Sequence, residues 1–321
     1  MEAVDKKRVA VLWGLLALVF ACVPISGNDY YLTIANRILV WGMFAVAFNM
    51  LFGVTGMLSF GQALFYGLGG YGVGLMVKYL GKAWFLPGLG LGVMAAALVA
   101  YLLGFLIIRA SGVFFTILTL AFGQLAWQIT FRWYNVTGGD DGIQGLIPPG
   151  ILGNRVVYYY FCLVLVLASI WFLQRLANSP QGLILRCLRQ NPSRVRFLGR
   201  RVKRNQRRVY LVSSVFAALA GGLMAGVDNS IHTNMLNWTT SGEVILMSVL
   251  GGIHQFFGPF VGAAVIKIIE DVVGARTEYW SLIIGLVMMT MVLAFPRGLV
   301  GELALLKARL KWRALRRAER S

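Results

Sequence analysis

Long apolar runs separated by short polar segments make up most of this chain. A helix needs roughly 20 apolar residues to cross the hydrocarbon core of a membrane, because each residue advances it by only about 1.5 Å. Nine such runs occur, at 9–26, 33–52, 60–80, 84–108, 113–131, 157–175, 209–227, 256–273 and 279–296. The pattern predicts an all-α, polytopic membrane helix bundle that forms a single transmembrane domain over residues 1–321.

The placement of charges gives this bundle a predicted orientation. The chain has 30 Lys and Arg against 12 Asp and Glu, and its formal net charge is +18. The basic residues cluster at 6–8, in the loop 176–208 and in the tail 302–321. Because Lys and Arg resist translocation, these segments and both termini are expected in the cytoplasm. Acidic residues gather in the segments left for the other side, namely Asp29, Asp140, Asp141, Asp228, Glu270, Asp271 and Glu278.

Two cytoplasmic termini require an even number of crossings, one more than the nine runs supply. The apolar segment Glu243–Gly252 is about half a span long and predicts a short or re-entrant tenth crossing. Ten crossings divide into two five-helix repeats, which must then be inverted relative to each other. Glycine-rich breaks at 53–61 and 251–258 fit segments that line a water-filled path, although tight helix turns explain them equally well.

The composition argues against a soluble protein or an enzyme. Hydrophobic residues make up 58% and charged residues 13%, so the basic charge does not indicate a nucleic-acid partner. The three cysteines (Cys22, Cys162 and Cys187) and two histidines (His232 and His254) form no metal-binding pattern, and no catalytic constellation can be assembled. We expect no cofactor in this chain. The first run resembles a signal peptide that ends at Cys22, and we expect it to remain as an uncleaved span, with cleavage or lipidation of Cys22 as the alternative.

Glycines and polar residues inside the spans are the remaining candidates for function. Gly67–Gly72 matches the spacing of a dinucleotide fingerprint but lacks the strand before it, so these glycines and the pair Gly88 and Gly92 predict close helix contacts. A polar solute path is predicted along one set of neutral residues, Asn49, Ser59, Gln62, Thr116, Thr119 and Gln124. The alternative is that these side chains only hydrogen-bond helix to helix within the bundle.

The basic loop predicts two short cytoplasmic helices. Apolar residues recur with helical spacing in 182–190, Asn191 can cap a second helix that begins at Pro192, and Gly199 suits a left-handed stop. Such a pair could dock on a partner, or it could lie on anionic lipid. Its candidate contact residues are Gly182, Leu183, Arg186, Leu188, Arg189, Gln190, Asn191 and Gly199.

Ordered short motifs along nearly the whole chain carry a resemblance to a known family. They include Asn49–Gly53, Gly56–Gly61, Phe115–Gly123, Thr137–Ile143, Ser179–Gly182, Arg189–Asn191, Ala217–Gly222, Ser241–Glu243, Leu250–Gly252, Gly258–Ala263 and Phe295–Gly301. In these motifs the chain resembles the LivM-type permease subunits of branched-chain amino acid ABC importers, a family with urea, amide and aromatic-acid members.

The resemblance implies a heteromeric importer of the inner membrane that works by alternating access. This subunit would pair with a homologous second permease, two cytoplasmic ATPases that bind ATP, and a periplasmic solute-binding protein. It also implies that the loop around Gly182–Gly199 couples to the ATPase. Gln190 and Pro192 depart from the usual Arg-Glu-Asn-Glu, and His254 and Gln255 replace the usual Gly and Ser or Thr.

The resemblance also ranks three expected substrate classes. Hydrophobic or branched-chain amino acids come first, urea or short amides second, and aromatic acids third. A secondary transporter or channel that works without ATP is the rival from another class.

Overall fold

The computed structural model of the protein describes residues 18–274 together with residues 14, 276, 279, 282–283, 285–287, 289–290 and 298–302. The start of the run predicted at 9–26, most of 279–296 and nearly all of the basic tail lie outside the described residues. Eleven helices follow one another within 29–274: α1 (Asp29–Asn49), α2 (Gln62–Leu80), α3 (Phe85–Ile107), α4 (Val113–Arg132), α5 (Tyr134–Thr137), α6 (Arg155–Asn178), α7 (Pro180–Gln190), α8 (Pro192–Phe197), α9 (Val202–Val227), α10 (Trp238–Gly251) and α11 (Gly258–Gly274).

Short elements connect these helices. The 3₁₀ turns are Val23–Ser26, Lys82–Trp84, Gly150–Gly153 and Thr233–Leu236, and a π-helical segment, Met50–Val54, extends α1. Two short strands, β1 (Ile143–Gln144) and β2 (Ser230–Ile231), pair antiparallel with Ile143 opposite Ile231.

The predicted helical bundle is confirmed, and five of its helical segments are long and apolar enough to span a membrane. These segments are Asp29–Val54, Lys82–Ile107, Val113–Arg132, Arg155–Asn178 and Val202–Val227. Helices α2, α10 and α11 match the predicted runs at 60–80, 243–252 and 256–273 with boundaries shifted by a few residues. At 14 residues, α10 is about 21 Å long, which fits the short crossing expected there.

Helix α1 forms the centre of the bundle. Every residue from 38 to 50 is buried, which fits a segment that is apolar on all sides. Asn28 begins the helix by accepting a hydrogen bond from the backbone N–H of Tyr30 at 3.0 Å. Helices α6, α9 and α11 pack around α1, so its side chains can meet groups from distant parts of the sequence.

Glycines bring α2, α3 and α9 into backbone contact. A Cβ added at Gly69 would collide with the carbonyl oxygen of Ala218, and one at Gly221 would collide with that of Tyr66. Gly72 and Gly92 meet in the same way across α2 and α3. Small residues allow helices to approach this closely, so the predicted helix contacts of these glycines are confirmed.

The two ends of the bundle are chemically different. The β1–β2 pair, the first residues of α1 and the last residues of α9 and α11 lie at one end, which we call the acidic end because it holds Asp228, Glu270 and Asp271. Helices α7 and α8 lie at the other end beside the breaks before α2 and α11, and we call this the basic end.

Candidate functional site: a charged cavity and a basic docking loop

A cavity of about 650 Å³ opens at the acidic end between α1, α9, α10 and α11. Its apolar lining includes Ile34, Met224 and Met235, and its charged lining consists of Arg37, Asp228, Lys267, Glu270 and Asp271. Ordinary ligand cavities are mostly apolar with a few convergent polar groups. This one has both signs of charge beside apolar walls, so it can accept a small polar solute.

Lys267 is the buried cation of this cavity, only 7% exposed although it lies in the apolar helix α11. Its ammonium nitrogen is 2.6 Å from Glu270 Oε2 and 3.4 Å from Glu243 Oε2. It also lies 4.0 Å from the centroid of the Trp41 ring, which is favourable cation–π geometry. The charge is therefore compensated from α10, from α11 and from α1.

A second ion pair stands between two cavities. Arg37 Nη2 lies 2.9 Å from Asp228 Oδ1, which joins α1 to the end of α9. A neighbouring cavity of about 610 Å³ shares Arg37, Asp228 and His232 with the first. Ser230 Oγ is 3.2 Å from His232 Nε2, so the strand β2 fixes the ring beside the ion pair. The Arg37–Asp228 bridge thus forms part of the wall between the two chambers.

The wall of the first cavity deep in the bundle is aromatic. Tyr66 stacks on Phe44 with ring centroids 4.8 Å apart, and Trp41 lies 5.5 Å from Tyr66. The hydroxyl of Tyr66 is buried and has no hydrogen-bond partner among the described residues. A buried polar group without a partner is costly, so a bound solute or water would satisfy it.

The neutral residues predicted to line a path lie elsewhere, near the break at 55–61. Thr116 Oγ1 donates to the Leu58 carbonyl at 2.9 Å, and Thr119 Oγ1 accepts from the Phe60 N–H at 3.2 Å. Asn49, Ser59 and Gln62 are buried. The amide groups of Asn49, Gln62 and Gln124 each leave one buried atom that has no partner within the part of the chain that the structure describes. None of the six lines either of the two cavities described above.

The basic loop folds into the two predicted helices, and the second begins at the predicted Asn191 cap. Ser179 Oγ accepts from the Gly182 N–H at 3.2 Å to begin α7, and Asn191 Oδ1 accepts from the Arg194 N–H at 3.1 Å to begin α8. Gly199 ends the pair in the left-handed region at φ +73°. Both helix signals in this loop are therefore confirmed.

The apolar residues of the loop divide between the bundle and solvent. Leu185, Leu188 and Val195 are buried, and Gly182 packs against the Ala177 carbonyl with no space for a Cβ. In contrast, Leu183, Phe197 and Leu198 are 62%, 92% and 79% exposed. The exposed apolar surface thus lies at both ends of the helix pair and excludes Leu188.

The polar candidates of the loop also divide. Arg186 Nη2 donates to the Ala177 carbonyl at 2.6 Å, and Arg189 reaches into the bundle to contact the Gly53 carbonyl and His254. Gln190 and Asn191 are exposed. Two arginines that the sequence suggests for partner contact therefore make contacts within the chain itself.

Sequence reasoning missed Arg37 and Lys267. Both fall in predicted spans, at 33–52 and 256–273, where an ionisable residue is expensive and marks a functional site by default. That signal was available in the sequence, because each is a single cation in a long apolar run.

Comparison with known proteins agrees with this architecture. The family described as "Branched-chain amino acid transport system / permease component" matches residues 30–292. The chain is 27% identical over 331 residues to the high-affinity branched-chain amino acid transport system permease protein LivM of Escherichia coli (strain K12), an alignment that covers 94% of this chain and 77% of the relative.

Two further relatives carry similar names. LivM of Salmonella typhimurium is 26% identical, with the same coverage of both chains. A probable branched-chain amino acid transport permease protein LivM of Methanocaldococcus jannaschii is 26% identical over 83% of this chain and 93% of the relative. No solved structure matches the chain. The match over most of the described bundle shows that the chain belongs to the family of branched-chain amino acid transport system permease components.

Proposed function

We propose that this chain is the transmembrane permease subunit of an ABC importer and moves a hydrophobic or branched-chain amino acid inward by alternating access. The observation that carries this proposal is the charged cavity at one end of the bundle, opposite an exposed basic docking loop at the other. A solute enters at one end, and energy is delivered at the other.

The charges orient the subunit in the inner membrane. Eleven Lys and Arg lie between Arg175 and Arg208, at the basic end, which supports a cytoplasmic position for that end and for both termini. The acidic end with its cavity then faces the periplasm. This orientation agrees with ten crossings in two inverted five-helix repeats, in which α10 runs from the acidic end to the basic end.

The docking loop supports a cytoplasmic ATPase as partner. Interface energy comes mostly from a few buried apolar or aromatic anchors, and Leu183, Phe197 and Leu198 offer such side chains among basic residues. We therefore assign them as the anchors of the contact, with Gln190 and Asn191 at its rim. ATP binds to the two ATPase subunits and not to this chain.

The cavity lining supports a zwitterionic solute. Arg37 and Lys267 provide positive charge, Asp228, Glu270 and Asp271 provide negative charge, and Ile34, Met224 and Met235 provide apolar contact. An aliphatic amino acid carries the same three features. Aromatic acids bring an unbalanced negative charge to a cavity whose described lining has more carboxylates than cations, so they fit it less well. Urea or short amides remain the second class.

Other partners follow from the remaining surface. Helices α3 and α4 expose apolar side chains such as Leu98, Phe105, Leu125 and Ile129, which suits contact with lipid and with a homologous second permease. A periplasmic binding protein would deliver solute to the acidic end.

Reconstitution tests the proposal directly. Liposomes that hold the complete complex, with the binding protein outside, should take up radiolabelled leucine only when ATP is enclosed inside them. Liposomes that hold this chain alone should take up none. Uptake by this chain alone, driven by an ion gradient or by none, would establish the rival secondary transporter or channel.

A further inference from the structure

The side chain of Arg189 lies between the two glycine breaks of the bundle. From the last turn of α7, its Nη1 atom donates to the carbonyl oxygen of Gly53, in the π-helical segment after α1. The same nitrogen lies 3.2 Å from Nδ1 of His254, in the connection between α10 and α11. One guanidinium nitrogen thus bridges two loops that are about 200 residues apart in sequence.

The backbone around this arginine is built for close approach. Gly56 has φ +74°, and a Cβ there would lie 3.0 Å from Arg189 Cγ. A Cβ at Gly53 would collide with the Ile253 carbonyl oxygen, so the two breaks touch directly beside the guanidinium. Glycine is therefore required at 53 by contact and favoured at 56 by backbone conformation.

Hydrogen-bond chemistry fixes the state of the histidine. Arginine has only donors, so Nδ1 of His254 must accept, and the imidazole must be neutral with its proton on Nε2. Burial, and next to it the positive charge of Arg189, lowers the pKa of His254 below its ordinary value of 6.5. Of the charged groups that the structure describes, Arg189 is the one with a resolved influence on this ring.

We propose that Arg189 is a positioning residue that fastens the break after α1 to the break before α11, so that a displacement of α7 is transmitted to both. We call Arg189, the Gly53 carbonyl and His254 the Arg189 latch. One N–H of Nη1 holds each break, and protonation of His254 removes the second of these acceptors. The latch rests on the proposed function only for its cytoplasmic location and its link to ATPase movement.

The sign of the pH effect follows from the lowered pKa. A neutral His254 is favoured in the folded protein, so the latch is complete above pH 6.5 and opens as the pH falls through the lower pKa. His254→Gln keeps an oxygen acceptor for Arg189 and has no proton to gain. This variant should therefore hold the latch at every pH.

Labelling of a single cysteine measures the latch without any transport assay. The variant Ile253→Cys is prepared in a version that lacks Cys22, Cys162 and Cys187. Inside-out vesicles that contain it are then treated with a maleimide, and the labelling rate is measured. Arg189→Gln should raise the labelling rate about tenfold or more, the factor expected for one hydrogen bond to a charged group. Arg194→Gln, which removes the same charge from an exposed site on α8, should leave the rate unchanged.

Acidification provides the second arm of the test. A cysteine at the exposed Ser193 corrects for the pH dependence of the thiol itself. The corrected labelling rate at position 253 should rise in the parent as the pH is lowered stepwise from 7.5 to below the ordinary histidine value of 6.5, and it should stay flat in His254→Gln. The proposed latch is contradicted if the cysteine at position 253 is labelled at the same rate in Arg189→Gln as in the parent. It is also contradicted if Arg194→Gln raises the rate as much as Arg189→Gln does. The assay needs neither solute nor ATPase, so its failure is separate from a failure of the importer proposal.

Discussion

Arg37 Nη2 lies 2.9 Å from Asp228 Oδ1, and this contact ties the first turns of α1 to the end of α9 at the boundary of two cavities. The side chains are 45% and 26% exposed, so water screens their attraction in part. A bridge of this kind can open to a solute at modest cost.

Removal of either partner of this bridge should reduce transport. We expect Arg37→Gln or Asp228→Asn to lower the rate of amino-acid uptake about fivefold, and the exchanged pair Arg37→Asp with Asp228→Arg to recover part of it. The Arg155–Asp29 pair, 66% and 65% exposed, is the matched control, and Arg155→Gln should change uptake less than about twofold. Equal losses at both bridges would contradict a special role for Arg37.

Lys267 should matter more for stability than Glu243, because it pairs with two carboxylates. Lys267→Met leaves Glu243 and Glu270 without their cation, but these side chains are 39% and 34% exposed, so we expect the free energy of unfolding to fall by only about 1–2 kcal/mol. Glu243→Gln, which changes a more distant and 39% exposed partner, should cost less than about 1 kcal/mol. Denaturant titration of the purified protein in detergent measures both values.

A double variant checks this explanation. If the loss comes from unpaired negative charge, Lys267→Met with Glu270→Gln should be more stable than Lys267→Met alone. A double variant that is less stable than the single one would instead mean that the lysine stem contributes chiefly by packing.

Substitutions in the docking loop can distinguish an effect on folding from an effect on binding of the ATPase. Phe197→Asp should leave the yield of folded permease unchanged, because the side chain is 92% exposed, and should abolish retention of the ATPase in a pull-down. Leu188→Asp places a charge at a site that is 3% exposed and should lower the yield itself.

The alternative for this loop is an electrostatic anchor on lipid. Three arginines of the loop lie outside α7 and α8: Arg200 and Arg201 precede α9, and Arg204 lies in its first turn. Their joint change to Gln should reduce ATPase retention much less than Phe197→Asp does. The reverse order would show that charge and not the apolar anchors holds this loop in place.

Orientation can be tested with two cysteines in a version that lacks the native three. Asp140 and Ser193 are exposed at opposite ends, so cysteines there should react with an impermeant maleimide from opposite sides of the membrane. Residue 195 is unsuitable for the second site because Val195 is 3% exposed. Labelling of both positions from outside intact cells would exclude the proposed topology.

Much of the fold follows from the sequence because apolar length and helix caps are local signals. The spans from 33–52 to 256–273, the Asn191 cap and the Gly199 stop all correspond to observed elements. Contacts between distant segments do not follow from such local signals. Nothing near Arg189 indicates that its side chain reaches Gly53, and helical spacing alone does not tell which face of α7 meets the bundle and which meets solvent.

The candidate site was harder to predict for the same reason. The sequence places Lys267 in an apolar run but cannot show that Glu243, one helix earlier, and Trp41, on α1, converge on it. Depth in the spans predicts the neutral polar set, whereas the first cavity lies between helix ends at the acidic end. The path predicted along Ser59 and Gln62 stays a prediction.

The backbone contacts of Gly69 with Ala218 and of Gly221 with Tyr66 have a consequence for how motion is distributed. Where main chain meets main chain, no side chain can change rotamer to let one helix slide past its neighbour. We therefore expect helices α2, α3 and α9 to move as one rigid body. Helices α10 and α11 meet in the same way, because a Cβ at Gly262 would collide with the Met247 carbonyl oxygen, so we expect the displacement of a transport cycle to occur between these two rigid groups.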